Sequence, residues 1–97
     1  MIATSDLVRL ECRIKPIMMG DAAKLTAFDS FFAQPDVFRV PITSSVFDRA
    51  TSIRAMHKFK LGDSIHLAAA VEAGCDRFLT NDTRLSKFPD ITVEVLP

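Results

Sequence analysis

The chain has 97 residues, 48% of them apolar and 25% charged, which suits one small globular domain, residues 1–97, with a real core but little margin. Its 12 basic residues balance 12 acidic ones, which argues against a broad polyanion-binding face and leaves room only for a local basic rim. No apolar run approaches the roughly 20 residues of a membrane-spanning helix, and the opening "MIATSDLVRLE" lacks the basic-then-apolar order of a secretory signal.

The first predicted element is a helix over 5–15, "SDLVRLECRIK", with Ser5 as N-cap and Pro16 closing it. Leu7, Leu10 and Ile14 recur at helical spacing, and Glu11 lies on the same stripe. Gly20-Asp21 opens a second helix, "AAKLTAFDSFFA", which Pro35-Asp36 ends. "VFRVPI", residues 37–42, reads as a strand, with Pro41 removing a ladder donor near its end. Thr43 or Ser44 caps a third helix running to about His57. A fourth helix over 63–73, "DSIHLAAAVEA", is apolar almost all round and reads as buried, with Gly74 as its C′ residue. "RFLT" is a strand, "DTRLSKF" a short helix or turn, and "ITVEV" an alternating last strand. Cys12 and Cys75, each in apolar surroundings, read as reduced core thiols of a cytoplasmic protein.

Helices alternating with short strands predict a three-layer α/β/α sandwich around a mainly parallel sheet. In such sheets the functional crevice lies at the carboxyl ends of the strands. Thr80, Asn81 and Asp82 follow the "RFL" strand at such an end.

Three carboxylates invite a chemical reading, and each alone has a plainer one. Glu11 on an apolar stripe is costly unless paired or coordinating, and Lys15 stands four residues on. Asp63 at the head of a helix reads as an N-cap that also favours the helix dipole. Asp82 reads as the cap of the turn that follows, with Asn81 in an Asx-turn. Together they say more. Nineteen residues separate Asp63 from Asp82, one helix out and one strand back, so both carboxylates can return to one side of the sheet. Clustered carboxylates repel unless a cation neutralises them. Hard oxygen donors without Cys or His point to Mg²⁺ or Mn²⁺, and such sites hydrolyse phosphodiesters with metal-activated water.

"SDLVRLEC", "LGDSIHLAAAVEAGCDRFLTND" and the closing "ITVEVL" together resemble the PIN domain, especially the VapC-type toxins of type II toxin–antitoxin modules. The resemblance covers most of the chain and is densest from Leu61 to Asp82. It implies a Mg²⁺- or Mn²⁺-dependent endoribonuclease acting on RNA. Glu11, Asp63 and Asp82 take the family's second, third and fourth acidic positions as metal ligands, and Thr80 and Asn81 orient water or substrate. It also implies a cognate antitoxin and a homodimer. The family's first strand, ending in an Asp-x-Asn motif, has no counterpart, since "MIAT" is too short and Asp6 belongs to the helix that follows; residues 1–4 match the end of the second strand instead. A late start, a degenerate relative or a gap filled by a partner would each account for this, and the late start is the expectation. The alternative to an enzyme is a non-catalytic PIN remnant that binds an antitoxin or dimerises.

Other residues carry double readings. His66, one turn past Asp63, faces either the site or the core. Arg54, Lys58 and Lys60 before Asp63, with Arg84 and Lys87 after Asp82, form either a phosphate-contacting rim or ordinary solvated helix ends, and His57 reads as surface.

Overall fold

A computed structural model describes residues 2–97. The chain divides into two compact units, Met1–Pro41 and Ile42–Pro97.

The first unit runs β1 (Ile2–Ser5), α1 (Asp6–Met19), α2 (Ala22–Phe32) and β2 (Val37–Val40). β1 and β2 pair in parallel, from Ile2 opposite Val37 to Ser5 opposite Val40. Ser5 ends the strand and starts the helix. It is buried, extended at φ −144°, and its hydroxyl accepts from the Val8 N–H as the N-cap. Pro16 does not close α1, contrary to expectation. It is the buried residue of the helix, which runs on to Met19 before Gly20 turns left-handed at φ 66°. The end is tied by Gly20 N–H to Ile17 O and by Asp21 N–H to Pro16 O, which satisfies carbonyls a helix terminus would leave open. Asp21 then caps α2 by accepting from Lys24 N–H. Arg9 and Arg13 of α1 reach Asp29 of α2 at 3.7 and 3.0 Å. Leu10 and Ile14, expected on an apolar stripe, are about half exposed.

The second unit runs α3 (Ser44–His57), α4 (Leu61–Glu72), β3 (Arg77–Thr80), a 3₁₀ turn (Thr83–Lys87) and β4 (Thr92–Val95). Thr43 caps α3 by accepting from Val46 N–H, as its sequence predicts. Val46, Ala50 and Ile53 of α3 and Ser64, Leu67, Ala68 and Ala69 of α4 are buried, so two inward faces make this core. The small residues of α4 keep its buried face flat, and Ser64 satisfies its buried hydroxyl by donating to Lys60 O. Gly74 follows α4 at φ 72°, in the left-handed region where glycine carries no penalty. β3 and β4 pair in parallel, from Arg77 opposite Thr92 to Thr80 opposite Val95.

The architecture is thus α/β, with four α-helices and strands that pair only in parallel among the described residues. The strands form two two-stranded sheets, one in each unit. No helix among the described residues is long and apolar enough to cross a membrane.

Candidate functional site

The chemistry-bearing residues of the second unit gather where β3 ends. Thr80 closes the strand, and its hydroxyl accepts from the backbone N–H of Asp82 at 3.0 Å. That bond fixes the backbone from which the Asp82 carboxylate projects. Asp82 caps the 3₁₀ turn, accepting from Arg84 N–H at 3.0 Å. The Arg84 side chain folds back over the same carboxylate. Its Nε donates to Oδ1 at 3.0 Å and a terminal nitrogen donates to Oδ2 at 2.6 Å, a two-point clamp. The Arg84 hydrogen bonds pull the Asp82 pKa down to about 2, with the backbone bond from the same residue and the charge of Lys60 adding to the effect. Arg84 in return is held more firmly charged, first by Asp82 and more weakly by Asp63. Asn81 is exposed beside them.

Asp63 is an N-cap by its sequence, and the structure places it otherwise. α4 begins at Leu61 behind Lys60, which makes no side-chain cap bond, and Asp63 lies inside the first turn. A carboxylate there still favours the helix dipole, but no hydrogen-bonding role as a cap explains it. Half-buried, it lines a cavity of about 110 Å³ with Arg84, Lys60, Lys58 and Lys87, over a floor of Phe59 and Leu85. Arg84 thus lines the same cavity as Asp63 while it clamps Asp82. Glu11 is exposed on α1 in the first unit. Its charge, after burial itself, pushes the Cys12 thiol pKa up. Both cysteines carry free thiols and are half-buried.

Other titratable residues singled out in the sequence have their own places in each unit. Arg54 donates to Phe59 O, which makes it a tie between α3 and the segment after it rather than a rim cation. His57, expected at the surface, is half-buried and stacks on Phe59 at 5.3 Å and 12°. His66 is half-buried on α4. Asp6 pairs with Arg39 at 3.3 Å within the first unit. Two relationships escaped the sequence: Arg84 as the partner of Asp82, and the Lys87 ammonium over the Phe59 ring at 5.4 Å. The first had a signal in "NDTR", because an Asp that caps a turn leaves the side chain two residues on within reach of its carboxylate. The second had none, since residues 59 and 87 are distant in sequence.

Among the described residues, no group of three or more His, Cys, Asp or Glu gathers as a metal ion would need. Asp63 and Asp82 nevertheless suit a hard divalent cation, since Mg²⁺ is often bound by one or two carboxylates with water completing its shell.

Asp82 projects just past the carboxyl end of β3, the edge at which parallel α/β folds place their functional crevice. A family model described as PIN domain matches residues 1–91, and the chain belongs to that family. The family suggests a nuclease-type function, nucleic acid as ligand and general use of divalent metals. No curated protein and no solved structure matches the chain.

Proposed function

We propose that the chain is an endoribonuclease of PIN type that uses Mg²⁺ or Mn²⁺, with Asp63 and Asp82 as two of its acidic ligands and Glu11 as a third. The observation that carries this reading is the placement of Asp82 just past the carboxyl end of β3, held there by Thr80, with Asp63 in the cavity that Arg84 also lines. A carboxylate at the carboxyl end of a parallel strand is a hard oxygen donor of the kind Mg²⁺ takes. Bound there, a divalent metal supplies Lewis acidity to a phosphodiester and its attacking water. Thr80 acts by holding the Asp82 backbone, and Asn81 is exposed to orient water or a phosphate oxygen. The reading takes residues 1–97 as a single PIN-like domain.

The same reading extends to a cytoplasmic toxin of VapC type, held by a cognate antitoxin and assembled as a homodimer. Supporting the dimer is the exposed apolar series Leu10, Ile14 and Ile17 on α1, at the spacing of one helical face. A second reading is a non-catalytic PIN remnant that binds an antitoxin or dimerises. The Arg84 clamp favours it, because Asp82 already has a permanent cation.

The deciding experiment is cleavage of single-stranded RNA with and without Mg²⁺, by the wild-type chain and by Asp63→Asn. The nuclease reading expects Mg²⁺-dependent cleavage that Asp63→Asn removes. Equal cleavage by both refutes the assignment of Asp63, and no cleavage by either favours the remnant.

A further inference from the structure

The cavity beside Asp63 is lined by more positive charge than the acidic site explains. Lys58, Lys60, Arg84 and Lys87 surround it, and Asp63 is the one acid in its lining. Four of the chain's 12 basic residues thus face one small space in a molecule of zero net charge. Arg84 is committed to Asp82. Lys58, Lys60 and Lys87 form no salt bridge among the described residues.

Lys58 is fixed at its backbone and Lys87 at its side chain. Lys58 sits at φ 58°, a left-handed conformation that costs a non-glycine residue about 1 kcal/mol or more, and it follows His57 directly at the end of α3. Lys87 is steadied over the Phe59 ring, and Phe59 itself is buried. Like charges converging at a fixed site repel one another, and an anion relieves that repulsion. A cavity of about 110 Å³ lined by these cations admits a phosphate group.

We propose that this cavity is a phosphate subsite, in which Lys60 and Lys87, with Lys58 at the rim, bind a backbone phosphate of single-stranded RNA beside the bond presented to Asp63 and Asp82. The assignment rests on the nuclease reading for the identity of the ligand and on the cavity for its place. Asp63 sets the boundary between the two regions, repelling phosphate oxygens from the cavity's acidic side and leaving the lysine side as the seat.

The test uses the full chain and a fluorescein-labelled single-stranded RNA oligonucleotide in EDTA, so that binding is read without cleavage. Affinity is followed by anisotropy across a salt series for wild type, the Lys60→Gln/Lys87→Gln double variant, Lys60→Arg, and Lys24→Gln as an exposed control in the other unit. The double variant is expected to bind several-fold more weakly. The slope of log affinity against log salt should shrink by about 0.7 for each lysine–phosphate pair that the substitutions remove. Lys60→Arg should keep wild-type binding, and Lys24→Gln should be unchanged. Circular dichroism confirms that each variant is folded, and Lys60→Gln alone replaces the double variant if that one is not. A double variant with wild-type affinity and slope overturns the subsite while Mg²⁺-dependent cleavage still supports the nuclease. Weakened binding by the variant without cleavage by wild type keeps the subsite and overturns the nuclease. A polyglutamate peptide that displaces the RNA at equal concentration overturns the assignment to phosphate, and a wild-type chain that binds no RNA overturns both proposals.

Discussion

Arg84 grips both oxygens of Asp82, at 3.0 Å through Nε and 2.6 Å through a terminal nitrogen, across a turn of only two residues. The pair is local, so it forms with the 3₁₀ turn itself and needs no distant packing to bring its members together. Its partners are only partly shielded, with a quarter of the Asp82 side chain and 62% of the Arg84 side chain exposed. Its weight is therefore in protonation and geometry more than in stability.

The first consequence is a pH window. Asp82 titrates near 2 in the folded chain against an ordinary value of 3.8, so folding favours its charged form. A depressed carboxylate stabilises above its ordinary value and loses that contribution as pH falls from about 4 through about 2. Glu72 is lowered in the same direction by the Arg49 hydrogen bond and then by Ser45, so it adds to the acid limb. Arg84→Gln should return Asp82 toward its ordinary value in a carboxyl NMR titration. Thermal melts from pH 6 to pH 2 should then show a shallower acid loss for the variant, with the Glu72 part remaining.

The clamp also predicts competition. Any cation that coordinates Asp82 must displace the Arg84 hydrogen bonds or share the carboxylate with them. Arg84→Gln should therefore bind Mg²⁺ several-fold more tightly than wild type by titration calorimetry. Equal or weaker binding by the variant would show that Arg84 does not stand in the way.

Thr80 offers a separation of structure from chemistry. Thr80→Val keeps the branched shape and removes the acceptor for Asp82 N–H. It should cost about 1 kcal/mol of stability, the usual net worth of one such bond. Thr80→Ser should restore most of it in denaturant unfolding. If Thr80 positions Asp82, the valine variant also weakens Mg²⁺ binding by more than the serine variant does.

Lys58 sets stability against binding. Lys58→Gly removes the left-handed strain at φ 58° and keeps the backbone N–H bond to Arg54 O. After the extra freedom glycine gives the unfolded chain, a gain of about 0.5 kcal/mol remains, a rise of a few degrees in melting temperature. The same change removes a cation from the cavity rim, so RNA binding should weaken while the protein becomes more stable. A variant that neither gains stability nor loses affinity would show that the conformation and the charge are both incidental.

Much of the fold was readable from residues that act locally. Ser5, Asp21 and Thr43 each cap a helix through their own oxygen, and Gly74 turns left-handed where the sequence placed the end of α4. Such signals depend on a few adjacent residues and survive in sequence. Pro16 misled because its ring is buried and the following turn is tied off by Gly20 and Asp21, which a rule about missing N–H groups does not see. Asp63 misled because the preference for Asp at a cap outweighed Leu61-Gly62, and the helix starts at that pair with backbone bonds alone. Of the site, the sequence marks Asp63 and Asp82 as candidates, while the Arg84 clamp on Asp82 becomes visible only in the structure. Lys58, Lys60, Arg84 and Lys87 carry a phosphate-rim reading in the sequence, but their gathering around one cavity is not visible there. It depends on Lys58 reversing the chain and on Lys87 returning over Phe59, and a balanced net charge conceals both.

Among the described residues, each strand of the two sheets has one hydrogen-bonded neighbour. A lone pair of strands leaves the outward amides and carbonyls of both members without a ladder partner. The backbone of this chain therefore retains pairing capacity that its own four strands do not use. A further extended segment can be accepted along such an edge without breaking a bond already made. Unpaired edges of this kind are the places where proteins accept an added strand.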